Sequence, residues 1–325
     1  MVTFTTLIST VAMFAALMIP GFIMGKARRI ENGATVTVGN LLSDIAMPAL
    51  VFVKLIETDV SSLKITDILI SVLLLALTIP VIYFISRLIF KPRDGEREHL
   101  SAIFCSMFSN CGFLGIPLAA TLFPNKPEVT VFVSLANVTS SFFLLTLGTS
   151  VLESGASTNE GKKKNPIVSL LLRPVTFAVV LGTACSLLGV GKIFPQMTTY
   201  FGTLSGLTTP LSMTALGYEL SKMNLRGLLG DRRVYVTAAI RLLLSPLLAL
   251  SLLFALRLIP VIEISYELMA AMLITTAVST AASASAMARA HGIEGSLAAS
   301  ATLVNTLLCV VTLPIIWLLF DAVFI

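Results

Sequence analysis

Residues 101–123 read SAIFCSMFSNCGFLGIPLAATLF, and the interpretation of the chain starts from this stretch. It is apolar enough to lie in a bilayer, yet its middle holds Asn110, Gly112, Gly115 and Pro117. Glycine and proline disfavour a helix interior, and proline also removes a backbone donor. In lipid, a broken helix survives only where protein or a water-filled cavity binds the freed backbone groups. The pattern predicts either a binding site at mid-membrane depth, as in transporters, or an ordinary kinked and packed helix.

The composition indicates a polytopic membrane protein. The 325 residues are 56% hydrophobic and 12% charged, with a mean hydropathy of +0.95, and soluble domains carry about twice that fraction of charge. The net charge of +5 comes from cations in short loops, so it reports membrane topology and not nucleic-acid binding. No Lys or Arg precedes the first apolar run, which we therefore expect to be a transmembrane helix and not a cleaved signal peptide.

Ten apolar spans predict an all-α fold of ten transmembrane helices. Their approximate boundaries are 6–25, 37–57, 66–90, 100–123, 128–152, 167–189, 197–220, 233–258, 266–289 and 298–321. Sixteen of the 22 Lys and Arg residues fall in or beside the loops that follow odd-numbered spans, and cytoplasmic loops are rich in such cations. We expect a multi-pass protein of the plasma (inner) membrane with both termini outside. Trp317, near the outer end of the last span, suits an interfacial belt.

The two halves of the chain resemble each other weakly. The fifth and tenth spans each carry an early asparagine, Asn137 and Asn305, which gives an offset of 168 residues. Five spans per half is an odd number, so the second half is inverted relative to the first. This predicts two repeats, residues 1–153 and 167–325, joined by a polar cytoplasmic linker at 154–166.

The offset pairs the fourth span with the ninth, which reads ITTAVSTAASASAMARAHG from residue 274. Cys111 falls on Ser279, and Thr280 and Ser283 follow in a run of small and polar side chains. Two interrupted segments at matching positions point to a binding site at the membrane midplane. A helix–helix interface of small residues gives the same pattern.

Four motifs resemble the auxin efflux carrier family, which includes plant PIN auxin exporters and bacterial malonate and malate permeases. They are SNCGFLGIPL (109–118), LLSDIAMPALVF (41–52), IRLLLSPLL (240–248) and VNTLLCVVTLP (304–314). The resemblance implies a 5+5 inverted repeat of the bile-acid-symporter or PIN type, with helices 4 and 9 broken and crossing. It also implies a scaffold of spans 1, 2, 6 and 7, a transport group of spans 3–5 and 8–10, organic-anion substrates and a homodimer. No G-x-x-x-G face is expected to support the dimer.

The chain departs from that family at one point. Many relatives have a proline in the ninth span near Ser279 or Thr280, but none occurs here between Pro260 and Pro314. The ninth span is therefore either unwound by its small polar residues or straighter than in those relatives.

Two broken helices would bring half-helix N-termini to the midplane. Such ends present unpaired N–H groups and about half a positive charge, which favours a carboxylate. This explains an anion site with no intramembrane cation directly in the crossover. The candidate substrate-binding residues are Asn110, Cys111, Gly112, Gly115, Pro117, Ser279, Thr280, Ser283, Asn137 and Asn305. For the asparagines, hydrogen bonding between helices is an equal alternative to ligand contact.

Two charged residues are candidates for coupling. Asp44 lies near the predicted inner boundary of span 2, where it serves either as a proton site or as a capping or snorkelling side chain. Arg241 lies about a third of the way into span 8, and an intramembrane charge is either functional or snorkels to the surface.

The sequence favours a secondary carrier of a small organic anion, a mono- or dicarboxylate or an auxin-like aromatic acid, working by alternating access. Coupling to H⁺, to Na⁺ or to neither stays open. No GxxxxGK[ST] motif is present for ATP binding. We expect no enzyme, cofactor or metal, since no nucleophile–base set, paired carboxylates or His/Cys cluster is visible in the spans. The alternatives are a sodium-coupled symporter of bile-acid type and a membrane sensor that binds without transport.

Overall fold

The computed structural model describes residues 4–29, 34–58, 61, 63–92, 96–154, 168, 171–222, 230–260 and 262–324. Throughout this part the chain is helical and contains no β-strand. The predicted linker lies outside the described residues except for Ser154.

The helices of the described part are numbered in chain order. They are α1 (Phe4–Lys26), α2 (Ala34–Leu41, continuing as Leu42–Ala46 and Met47–Glu57), α3 (Ile65–Ile89), α4 (Glu98–Met107), α5 (Cys111–Leu122), α6 (Pro127–Glu153), α7 (Pro174–Leu187), α8 (Val190–Ile193), α9 (Pro195–Ser205), α10 (Thr208–Lys222), α11 (Arg232–Arg257), α12 (Tyr266–Ala277), α13 (Ala284–Ala290) and α14 (Ser296–Phe324).

Within the described residues, six helices are long and apolar enough to cross a membrane alone: α1, α2, α3, α6, α11 and α14. Shorter apolar helices are α5, α7 and α12. The outer faces of the long helices carry large apolar side chains. In α3, for example, Leu88 is 76% exposed and Phe84 is 61% exposed. Such faces suit a lipid environment, because a soluble protein rarely exposes large contiguous apolar patches. The chain is a polytopic helical membrane protein.

Three prolines shape the long helices by widening the turn that precedes them. Proline lacks an N–H and its ring displaces the carbonyl four residues earlier, so the helix bulges. Three of the four π-helical turns in the described part precede a proline: Leu42–Ala46 precedes Pro48, Cys111–Gly115 precedes Pro117, and Ile240–Leu244 precedes Pro246, whereas no proline follows Leu144–Gly148 within its helix. The first lines the cavity described below, the second begins α5, and the third carries Arg241.

Glycines let α1 and α10 touch backbone to backbone. A Cβ added to Gly21 would lie 1.9 Å from the carbonyl oxygen of Thr214, and one on Gly217 would lie 1.9 Å from that of Met18. Close approach of this kind is what small residues allow between membrane helices. Gly21 and Gly25 form a G-x-x-x-G face. The face packs within the chain.

Polar contacts gather several loop ends at one end of the bundle, here called the basic face. Arg97 at the start of α4 donates to the carbonyl of Leu152 at 2.6 Å and to that of His291 at 3.2 Å. Beside it, Arg233 pairs with Glu96 at 3.1 Å. These contacts join ends of α4, α6, α11 and α13, which the charge pattern assigns to one side.

The opposite face is tied by ion pairs from α12 and the loop before it. Lys64 pairs with Glu263 at 2.7 Å, and Lys126 pairs with Glu267 at 2.6 Å. Nearby, Trp317 is 0% exposed and its ring lies 5.5 Å from that of Phe320 and 6.0 Å from that of Phe123. The expectation that Trp317 belongs to an interfacial belt is therefore wrong, since it packs inside the bundle.

Candidate membrane crossover site

The two interrupted segments cross each other as a short antiparallel pair. The backbone N–H of Asn110 donates to the carbonyl of Ser279 at 2.7 Å, and that of Ala281 donates to Phe108 at 3.0 Å. The chain between α12 and α13 is thus interrupted without a proline. Backbone groups freed by each break are bound by the other, which is how irregular backbone is accommodated inside a membrane protein.

Arg241 binds the carboxyl end of α12. The side chain is 3% exposed, and its Nη2 donates to the carbonyls of Thr276 at 2.6 Å and Thr275 at 3.3 Å. Its Nε donates to the carbonyl of Val278 at 3.2 Å, and Nη1 donates to Ser245 Oγ at 3.2 Å. The expectation of a crossover with no cation directly in it is wrong. Arg241 does not snorkel; it is buried at the break.

The end of α4 is bound by neutral groups. Thr280 Oγ1 donates to the carbonyl of Cys105 at 3.0 Å, and Asn305 Nδ2 donates to Thr280 Oγ1. Asn305 is 0% exposed, so its amide braces the crossover from α14. The two broken helices therefore end differently, one on a charged guanidinium and one on a hydroxyl.

A cavity of about 420 Å³ lies between the crossover and the basic face. This falls within the range of about 300–1,000 Å³ that is usual for small-molecule sites. Several polar side chains line it, and they come from α2, α6, the start of α7 and the two interrupted segments. They are Asp44, Ser109, Asn110, Asn137, Arg173 and Ser283.

Asn110 lines this cavity and carries a buried amide donor. The residue is 3% exposed, and among the described residues its Nδ2 has no hydrogen-bond partner. Its backbone carbonyl accepts from Leu114 and Gly115 and so begins α5. A buried polar group without a partner costs about 1–3 kcal/mol. This residue is therefore a candidate for ligand contact.

Because residue 112 is a glycine, no side chain separates the backbone of α5 from Asn137 at the cavity wall. A Cβ there would lie 3.4 Å from Asn137 Oδ1 and 3.8 Å from the methyl carbon of Met47. The half-buried Asn137 therefore stands beside the first turn of α5. The first N–H groups of any helix have no intrahelical partner, and those of α5 lie in the turn that forms the cavity wall.

Arg173 brings a cation to the same cavity. It is half-buried directly before α7, and its Nη1 donates to Ser141 Oγ at 3.1 Å. By its position in the sequence, Arg173 is one of the cations beside the loops that follow odd-numbered spans, and it was not predicted as a site residue. The missed signal is its position immediately before Pro174, which fixes the start of a membrane helix.

The structure divides the predicted site residues into two sets. Those that line the cavity are Asn110, Gly112, Asn137, Ser283 and Asp44. Those that pack behind it are Cys111, Gly115, Pro117, Ser279, Thr280, Asn305 and Arg241. Within the described residues, no group of three or more His, Cys, Asp or Glu side chains is arranged to hold a metal ion.

Comparison with known proteins agrees with this architecture. Residues 6–317 match the family model described as "Membrane transport protein". The chain belongs to this family, the auxin efflux carrier family. As a family member it is 26% identical over 315 residues to an uncharacterized transporter of Methanothermobacter thermautotrophicus, covering 94% of this chain and 96% of that one. It is also 29% identical over 220 residues to an uncharacterized transporter of Methanocaldococcus jannaschii, an alignment that covers 66% of this chain and 68% of that one.

Proposed function

We propose that the protein is a secondary carrier that moves a small organic anion across the plasma membrane by alternating access. The substrate class is a mono- or dicarboxylate, including aromatic acids of the auxin kind. One observation carries the proposal: Asn110, whose buried amide nitrogen has no hydrogen-bond partner among the described residues, lines a cavity that also holds Arg173.

The anion would be held from two walls of the cavity. A guanidinium presents a planar fork of donors that matches a carboxylate, so Arg173 supplies the charge. The amide of Asn110 and the first turn of α5 supply neutral donors and the positive end of a helix dipole. Asn137 stands close enough to that turn to contact the rest of the substrate.

The movement would occur between two groups of helices. α1 packs against α10, and α2 packs against α7 and α9, which supports a scaffold of predicted spans 1, 2, 6 and 7. α3 to α6 and α11 to α14 pack mainly among themselves, which supports a separate transport group. We further propose ten crossings in a 5+5 inverted repeat, with units 1–153 and 167–325. The matching interruptions after α4 and α12 support it.

The cavity would face the cytoplasm in this conformation. Its lining includes Arg173 and Met287, which belong to segments that lead to the basic face. By the positive-inside rule that face is cytoplasmic and both termini are outside. Arg173 also joins the groups, because it lies at the edge of the scaffold and Ser141 lies in the transport group. A bound carboxylate would compete for that hydrogen bond.

Uptake into proteoliposomes tests the proposal. Labelled malonate, malate and a monocarboxylate are offered separately with imposed pH or Na⁺ gradients. We expect saturable flux of one of them, with a raised KM in Arg173→Ala and an unchanged KM in the control Arg87→Ala, whose residue does not line the cavity. Binding of a candidate to folded protein without any flux would contradict the proposal and favour a sensor.

A further inference from the structure

The carboxyl end of α12 presents backbone carbonyls of the kind that bind cations. Half-helix C-termini and unwound carbonyls at mid-membrane depth are where sodium-coupled carriers bind their ion. The last carbonyls of a helix lack intrahelical partners and carry partial negative charge. In this chain, a charged side chain lies there.

The carbonyls at this end are already bound. Those of Thr275 and Thr276 accept from Arg241 Nη2. That of Ala277 accepts from Cys309 Sγ at 3.6 Å, and that of Ile274 accepts from the backbone N–H of Val278 at 3.3 Å. A metal ion would have to displace the guanidinium to reach oxygen ligands.

The local shape of α11 determines the position of Arg241. The residue lies in the π-helical turn Ile240–Leu244, which Pro246 follows, and Ser245 Oγ accepts from Nη1. Intramembrane charge is costly and tends to be kept for function. A guanidinium, unlike an ammonium, spreads its donors over several acceptors in fixed directions.

Within the part of the chain that the structure describes, the positive charge of Arg241 has no carboxylate partner. Its hydrogen-bond partners among the described residues are three carbonyls and one hydroxyl, with no carboxylate. The crossed segment that contains Ser279 and Ala281 lies between this charge and the cavity that Ala281 and Asn110 line. In a low-dielectric setting such a charge attracts an anion strongly. A substrate carboxylate would supply the missing negative charge.

We propose that Arg241 is a tethered cation that fills the place of a coupling metal ion, so that transport does not require Na⁺. This rests on the proposed carrier function and deepens it, because it removes the sodium-symporter alternative. Arg241 acts as a positioning residue: it holds the end of α12 and balances the charge of the bound anion.

Two measurements on the wild-type protein test the sodium part. The first is malonate uptake in Na⁺ and in N-methylglucamine at equal ionic strength. The second is thermal unfolding of the purified protein in the same two salts, which needs no substrate. We expect neither to differ. A Na⁺-specific rise in Tm or in flux overturns the proposal. Absence of all malonate, malate and monocarboxylate flux would count against the carrier function, while the Tm result still decides whether Na⁺ binds.

Variants test the role of the guanidinium. Arg241→Ala leaves carbonyls at the end of α12 unpaired, so we expect a lower Tm and uptake reduced by about ten- to a hundredfold. Guanidinium chloride, far below denaturing concentrations, should restore both, whereas N-methylglucamine should not. Arg87→Ala is the control and should show no restoration. Unreduced uptake in Arg241→Ala, or a loss that guanidinium leaves unchanged, overturns the proposal.

A conservative variant covers the case in which Arg241→Ala does not fold. Arg241→Lys keeps the charge but cannot donate to all the carbonyls, so we expect reduced uptake that stays independent of Na⁺. Uptake that becomes dependent on Na⁺ in Arg241→Lys would overturn the view that charge at this position replaces the ion.

Discussion

At the scale of single residues, the two asparagines that the proposed repeat makes equivalent have different environments. Asn137 lines the cavity beside α5, whereas Asn305 is buried and donates to Thr280. Asn110, at the break itself, carries an amide donor that has no partner among the described residues. Polarity at these positions could be predicted from sequence. Which amide faces a cavity could not, because that depends on how the crossed segments pack.

Asn110→Ala should abolish transport without unfolding the protein. The change removes a donor that has no partner among the described residues, so we expect an unchanged or slightly higher Tm together with loss of uptake. Asn305→Ala is the matched variant. It removes the donor to Thr280, so we expect a fall in stability of about 1 kcal/mol, measured as a lower Tm. Wild-type uptake in Asn110→Ala would remove this residue from the site.

Arg173→Ala should raise KM for the transported anion by about ten- to a hundredfold, because charge-assisted hydrogen bonds to a carboxylate are strong. Arg173→Lys keeps the positive charge but loses the planar fork of donors, so its KM should lie between those of the wild-type protein and Arg173→Ala. Initial uptake rates over a range of substrate concentrations measure this. An unchanged KM in both variants would show that Arg173 only ties the two groups through Ser141.

At the scale of helices, apolar patterning predicts where the chain is helical, since each predicted span contains a described helix. The interruption after α4 is also predictable, because glycine and proline mark it. The interruption after α12 is not, because it contains no proline. It is held by a distant residue, Arg241, and by the backbone of Phe108 and Asn110. Sequence patterns describe local preference, and this break arises from tertiary contacts.

Gly217→Ala should separate α1 from α10. The added Cβ would overlap the carbonyl of Met18, and overpacking of this kind costs about 1–3 kcal/mol. Thermal unfolding in detergent measures the loss. Gly202→Ala is the matched control, since no atom lies within 4 Å of its added Cβ, and we expect its Tm to be unchanged or slightly higher. Equal Tm values for both variants would contradict the tight contact.

At the scale of the whole molecule, the polar contacts at each end join helices of one group. The basic-face contacts of Arg97 and the opposite-face pairs of Lys64 and Lys126 all connect helices of the proposed transport group. Such ties would let the group move as a unit. The charge pattern predicts these two ends from sequence, whereas the pairing of individual charges requires the structure.

A cysteine at position 283 should report which side the cavity faces. Ser283 is exposed and lines the cavity, whereas Cys105, Cys111 and Cys309 are buried. In a Cys185→Ser background, we expect Ser283→Cys to react with an impermeant maleimide in inside-out vesicles and not in intact cells. The transported anion should slow the reaction. Labelling restricted to intact cells would reverse the proposed orientation.

The charge of Arg241, which no carboxylate among the described residues balances, would make the empty carrier of the proposed mechanism sensitive to membrane voltage. Arg241 lies on α11, in the proposed transport group, so its charge moves when that group moves. A unit charge crossing the full potential changes free energy by about 2.3 kcal/mol per 100 mV. Loaded with a singly charged anion the group is neutral, and empty it is cationic, so an inside-negative membrane draws the empty site towards the cytoplasm. With a doubly charged anion bound, the transport group would carry a net negative charge when it moves. The sign and size of the transport current would therefore depend on the number of carboxylates on the substrate.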